Sequence, residues 1–118
     1  MSEAIDASIN TSVILDPDRD TGIATITLNR PDRLNSLSHD LLQSLSTAIS
    51  DVAIDESIRA VIITGAGRAF CAGADTDEMT GGSGDGPHKS GPGGAEALRR
   101  GFELAHKVIL GIYEMEKP

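Results

Sequence analysis

Apolar residues recur along this chain with two different periods, and the changes of period mark out its elements. Val13, Ile14 and Leu15 form an apolar patch within Ile9–Leu15, and Asp16-Pro17-Asp18 follows, which reads as a strand and then a turn. From Gly22 onward, Ala24, Ile26 and Leu28 alternate with Ile23, Thr25, Thr27 and Asn29, the period of a half-buried strand. The two segments predict a hairpin, closed off by Arg30-Pro31 because proline cannot donate to a ladder. Ser38 is placed as an N-cap, with Asp40 in the first turn. Beyond it Leu41, Leu42, Leu45, Ala48, Ile49 and Val52 recur at helical spacing. Ala60-Val61-Ile62-Ile63, within Arg59–Thr64, is a continuous apolar run that suits a strand buried on both faces. Residues Thr80–Gly94 are rich in Gly, Ser and Pro and predict a mobile loop. A last helix is expected over about Ala95–Glu116, with Leu98, Phe102, Ala105, Ile109 and Ile112 on its apolar stripe. Gly101 and Gly111 weaken it by about 1 kcal/mol each.

Composition narrows the class. At 118 residues the chain suits one domain, and with aromatic residues at 3% its core must be built from Leu, Ile, Val and Ala. The net charge of −8 and the dispersed Lys and Arg argue against nucleic acid as a partner. No apolar run approaches the ~20 residues of a membrane span. The first residues, MSEAIDASIN, lack the basic and apolar regions of a secretory signal, so a cytoplasmic location is expected. One cysteine, Cys71, precludes an internal disulfide, and with three scattered His it makes no zinc cluster, so no metal is expected.

Candidate chemistry concentrates in GAGRAFCAGAD, Gly65–Asp75, between the continuous apolar run and the expected loop. Phe70 stands where a dinucleotide fingerprint needs its third glycine, and no Gly-Lys-Ser/Thr follows for a P-loop. Ala72, Gly73 and Ala74 are small enough for a ligand to approach the main chain. Asp75-Thr76-Asp77-Glu78 resembles a capping box, which would open a helix and aim its free N–H groups over the turn. Such N–H groups form half of an oxyanion hole for a polarised carbonyl. Spacing alone leaves open a second reading, a small-residue turn that simply packs closely. Cys71 has no partnered base and reads as a small buried residue. His39 and His106 read as surface or boundary residues, and His88 as part of the loop. Asn35 is expected to hydrogen-bond the turn after Pro31.

Two segments in order, ITLNRPDRLNSL (Ile26–Leu37) and AVIITGAGRAFCAGADTDEM (Ala60–Met79), resemble the N-terminal signatures of the crotonase, or enoyl-CoA hydratase/isomerase, family. The helix between them, Asp55 and the Glu116-Lys117-Pro118 end fit the same pattern, so the resemblance runs from about Val13 to Pro118. It implies an α/β fold, a spiral of repeated β-β-α units, of which residues 1–118 form the N-terminal part of a single domain. It implies an acyl-CoA thioester as substrate, with no cofactor besides the coenzyme A of that substrate, and homotrimers or hexamers for a full-length protein. The Ala74 backbone N–H matches the first oxyanion donor. Arg33 and Leu34 match positions that line the CoA site, with Arg33 a candidate phosphate partner. Ala72, Asp75 and Thr76 match residues around the adenine and pantetheine.

The implied reaction is addition of water to a 2-enoyl-CoA, with an enolate-like intermediate held by backbone donors. Double-bond isomerisation is an alternative within the family. The family's second donor and its acid and base residues lie beyond the Lys-Pro landmark, past residue 118. A catalytically silent fragment, or a CoA-binding remnant, is therefore the alternative for this polypeptide by itself. Its last helix and Val61–Ile63 are then expected to present apolar surface and an open strand edge.

Overall fold

The computed structural model describes residues 8–9, 12–74 and 92–118. Within them, β1 (Ser8–Ile9), β2 (Val13–Asp18), β3 (Ile23–Leu28) and β4 (Ala60–Gly65) form one sheet in the order β1-β2-β3-β4. β1–β2 and β2–β3 are antiparallel, and β3–β4 is parallel, in register from Ile23↔Ala60 to Leu28↔Gly65. The parallel pair is joined by a 3₁₀ turn (Pro31–Arg33) and α1 (His39–Ile54); α2 (Pro92–Glu114) follows β4 in the described chain.

The expected hairpin forms, but its turn is shifted. Asp16, Pro17 and Asp18 belong to β2, where Pro17 faces Ala24 across the ladder. Proline is tolerated because the described β1 pairing reaches only Leu15, leaving Pro17 outside it. The reversal falls over residues 19–22, just after Asp18. The Asp18 carboxylate accepts from the Asp20 and Thr21 amides at 3.0 and 3.4 Å, and Gly22 closes the turn at φ +78°.

The alternation in β3 is borne out: Ala24, Ile26 and Leu28 are buried while the residues between them are half-buried. Their face packs with Val13 and Leu15 against Leu41, Leu42, Leu45, Ala48, Ile49 and Val52 of α1. Ser38 caps α1 as predicted, its hydroxyl accepting from the Leu41 amide at 3.1 Å, and the Ser12 hydroxyl donates to Asp40. The C-terminal end of α1 is closed from a distance. Lys117 Nζ donates to the Val52 and Asp55 carbonyls, both at 2.7 Å, supplying cationic donors to the negative end of the helix. The buried Asp55 carboxylate accepts from Ser57 N and Oγ and pairs with Arg19 at 3.3 Å.

Two expectations are corrected. β4 is not covered on both faces. It ends the described sheet, Ile62 is half exposed, and on its outer side the Val61 amide donates to the Pro118 carbonyl at 2.8 Å. The last helix begins at Pro92, so residues 92–94 are helical rather than loop. The rest of the expected loop lies outside the described residues, as does His88.

The packed face of α2 also differs from the predicted stripe. Gly101 and Val108 are buried, with Leu104 and Ala105 partly so, whereas Phe102, Ile109 and Ile112 are exposed; the Leu98 side chain lies outside the described residues. The glycines explain the choice. A Cβ on Gly111 would come within 3.1 Å of Ile49 Cγ2, so the face bearing Gly111 is where α2 can approach α1 most closely.

Candidate functional site

The parallel pair β3–β4 sends both of its following segments to the same end of the sheet, the end at which open α/β sheets present ligand-binding loops. The segment after β3 carries Arg33 and Leu34; the segment after β4 carries Ala66 through Ala74. The structure brings the two segments together.

After Arg30 the chain turns through Pro31–Arg33, where proline opens the 3₁₀ turn. Leu34 and Asn35 then both adopt left-handed backbone, at φ 53° and 57°. Asparagine tolerates this region, whereas for leucine it costs on the order of 1 kcal/mol or more and needs support. Support comes from the second segment. The Ala72 amide donates to the Leu34 carbonyl at 2.9 Å, the Leu37 amide donates to Gly73 at 2.7 Å, and Leu37 and Ala74 form a parallel bridge. Arg30 holds the loop from within, donating to the Ser36 carbonyl at 2.8 Å.

Glycines make this approach possible. A side chain at Gly65 would meet the Phe70 and Ala69 carbonyls at 2.5 and 2.6 Å and Asn35 Nδ2 at 2.8 Å. Gly73 sits at φ +105° with nothing within 4 Å of where a Cβ would project, so the bend is open on that side. Ala72 and Ala74 are exposed. The Ala72 amide is engaged with Leu34, whereas the Ala74 amide has no acceptor among the described residues. An amide with no acceptor among the described residues, on an exposed residue beside an open glycine, suits a backbone donor to a ligand oxygen.

Arg33 is exposed on the 3₁₀ turn and Leu34 is half-buried against the bend. Asp75 and Thr76, with the expected capping box and its helix, lie outside the described residues. Cys71 is half-buried against the core edge, and His39 and His106 are exposed. Among the described residues no group of three or more His, Cys, Asp or Glu is placed to hold a metal ion, and no helix is long and apolar enough to cross a membrane. A groove of about 490 Å³ lies elsewhere, between α1 and α2, lined by Ser46, Ile49, His106, Val108 and Gly111 among others; it includes none of the candidate residues.

Sequence reasoning understated one residue. Asn35, expected to satisfy the turn after Pro31, does accept from the Arg30 amide at 2.7 Å. Its Nδ2 also donates across to the Ala66 and Ala69 carbonyls at 3.0 and 2.9 Å. Those acceptors lie more than thirty positions away, so only the position of Asn35 in a left-handed-tolerant pair hinted at it.

Comparisons with known proteins follow the same lines. The family described as enoyl-CoA hydratase/isomerase matches residues 18–109. A Mycobacterium leprae protein called "Probable enoyl-CoA hydratase" is 38% identical over 94% of this chain and 36% of its own length. The 1,2-epoxyphenylacetyl-CoA isomerase of Escherichia coli is 46% identical over 48% of the chain and 22% of its own. Among solved structures, an enoyl-CoA hydratase from Mycobacterium smegmatis superposes with TM-score 0.75 at 34% identity, covering 92% of this chain and 38% of that one. The chain thus spans little more than a third of the length of relatives matched along most of it.

Proposed function

The chain belongs to the enoyl-CoA hydratase/isomerase family, and from that premise we propose that it takes an acyl-CoA thioester at the loops following β3 and β4. The Ala74 N–H donates to the thioester oxygen. Arg33 meets a phosphate of the coenzyme, Leu34 and Ala72 flank its path, and Asp75 and Thr76 complete it. The observation that carries this reading is the Ala74 amide, which has no acceptor among the described residues and belongs to an exposed residue at a bend where the Ala72 amide is already committed.

The chemistry follows from that one donor. Polarising the thioester carbonyl draws electron density from the conjugated double bond, so water bonds through its oxygen to the β carbon while giving up one proton to a base. The negative charge that develops on the thioester oxygen is held by the amide until a proton reaches the α carbon. Hydration of a 2-enoyl-CoA is the favoured reaction. Double-bond isomerisation uses the same enolate, and relatives named for both reactions support keeping the pair together. The substrate class points to fatty-acyl metabolism in the cytoplasm, and a trimeric assembly is proposed for the whole protein.

In the family resemblance the proton-transferring carboxylates follow the Lys117-Pro118 landmark. The polypeptide of residues 1–118 by itself is therefore expected to bind acyl-CoA without turning it over. Calorimetric titration with acyl-CoA, and loss of enoyl-thioester absorbance, test the two halves of that statement. Arg33→Ala should weaken binding about three- to tenfold through loss of a charged hydrogen bond. Ala74→Pro, which deletes the amide, should abolish the red shift of a bound conjugated enoyl thioester. Turnover by this polypeptide near that of a whole hydratase would overturn its expected silence, and an intact red shift in Ala74→Pro would overturn the assignment of the Ala74 amide.

A further inference from the structure

We propose that Asn35 is a positioning residue of this site, holding the loop that carries Arg33 and Leu34 against the turn that leads to Ala74. The inference rests on the reading of Ala74 as the thioester donor. Asn35 is fully buried, at 0% exposure. Each polar atom of its amide is spent on main chain: Oδ1 on the Arg30 amide, Nδ2 on the Ala66 and Ala69 carbonyls. The first contact belongs to the segment after β3, the other two to the segment after β4.

Two further bonds lace the same segments on either side of Asn35, Ala72 N–H to Leu34 and Leu37 N–H to Gly73. Asn35 therefore sits in the middle of a four-bond seam that ends at the Leu37–Ala74 bridge. The seam sets the distance between the coenzyme-side residues and the oxyanion donor. Aspartate keeps the acceptor for Arg30 but turns an oxygen toward two carbonyls, so the seam opens at its centre while the loop keeps its own turn. Gly65→Ala attacks the same point from the other strand, since its Cβ would fall 2.8 Å from Asn35 Nδ2 and closer still to the Ala69 and Phe70 carbonyls.

The test uses the full chain, a conjugated enoyl-CoA as probe, and three variants: Asn35→Asp, Gly65→Ala, and the core truncation Val52→Ala as a stability control. Binding constant and absorption maximum of the bound probe are read at saturation, with circular dichroism to verify folding. Asn35→Asp and Gly65→Ala should each raise Kd about tenfold and lose most of the red shift, whereas Val52→Ala keeps the full shift despite a lower Tm. A folded Asn35→Asp protein with unchanged Kd and shift overturns the inference. Failure of both seam variants to fold, when Val52→Ala folds, assigns Asn35 to the fold alone and also overturns it. A wild-type complex without any red shift overturns the Ala74 reading and this inference with it; a wild-type shift untouched by the variants overturns only the latter.

Discussion

The two helices make an instructive pair. α1 has a single apolar stripe, and Leu41, Leu42, Leu45, Ala48, Ile49 and Val52 along it are all buried against the sheet and α2. α2 has two. One, through Leu104, Val108 and Gly111, packs toward α1 and the core; the other leaves Phe102, Ile109 and Tyr113 at 59%, 63% and 83% exposure. A helix apolar on more than one side is built for burial on more than one side. In α1, then, periodicity names the buried face, because only one face is apolar. In α2 it points to the side of Phe102, Ile109 and Ile112, and close approach at Gly111 turns another side toward α1.

The contrast can be broken at graded cost. Leu41→Ala, at a position with 0% exposure, should lower unfolding free energy by about 2–5 kcal/mol in urea titrations, the cost of a cavity in a packed core. Gly111→Leu should cost about 1–3 kcal/mol by forcing α2 away from Ile49; an unchanged urea midpoint would mean that the α1–α2 contact is not set by that glycine. Ile109→Glu should alter stability by no more than about 0.5 kcal/mol, because its side chain is already largely in water, and should reduce binding of an apolar dye. A large destabilisation there would place the second stripe inside the core and remove the distinction between the helices.

The smallest effect belongs to the charged surface of α2. Arg99 pairs with Glu96 and, at 3.0 Å, with Glu103; the guanidinium holds the Glu96 carboxyl below its ordinary value of 4.5. A depressed carboxyl stabilises the folded state above that ordinary value, and the contribution disappears as pH falls through the lower folded value. Both partners are solvated, so Arg99→Ala should flatten the acid limb of the melting profile slightly and leave Tm at neutral pH nearly unchanged.

The extent to which the site was readable follows the range of its interactions. Ser38 as a cap, the β3 alternation and the small residues of the Ala72–Ala74 bend are local matters of spacing and size, and each is legible in a few neighbouring letters. The β2 turn was misplaced by a few residues because Asp-Pro-Asp is a turn signal that strand pairing overrode. A continuous apolar run looks the same whichever neighbours cover it, so the sequence of β4 reads as a doubly covered strand although it lies at the described edge. Asn35 and Lys117 were underread for one reason: their acceptors on Ala66, Ala69, Val52 and Asp55 stand 31 to 65 positions away.

The order of residues determined, without help, the central β3 strand, α1 and its apolar face, and the small residues that open the Ala72–Ala74 bend. These depend on backbone propensities and on periodicities that act over one or two turns of chain. Only the folded molecule decided which stripe of α2 is buried, that β4 lies at the described edge, and that Asn35 stitches the two loops around the Ala74 amide. Those outcomes are set by which segments meet in space, and a contact between distant segments exists only once both have been brought to it.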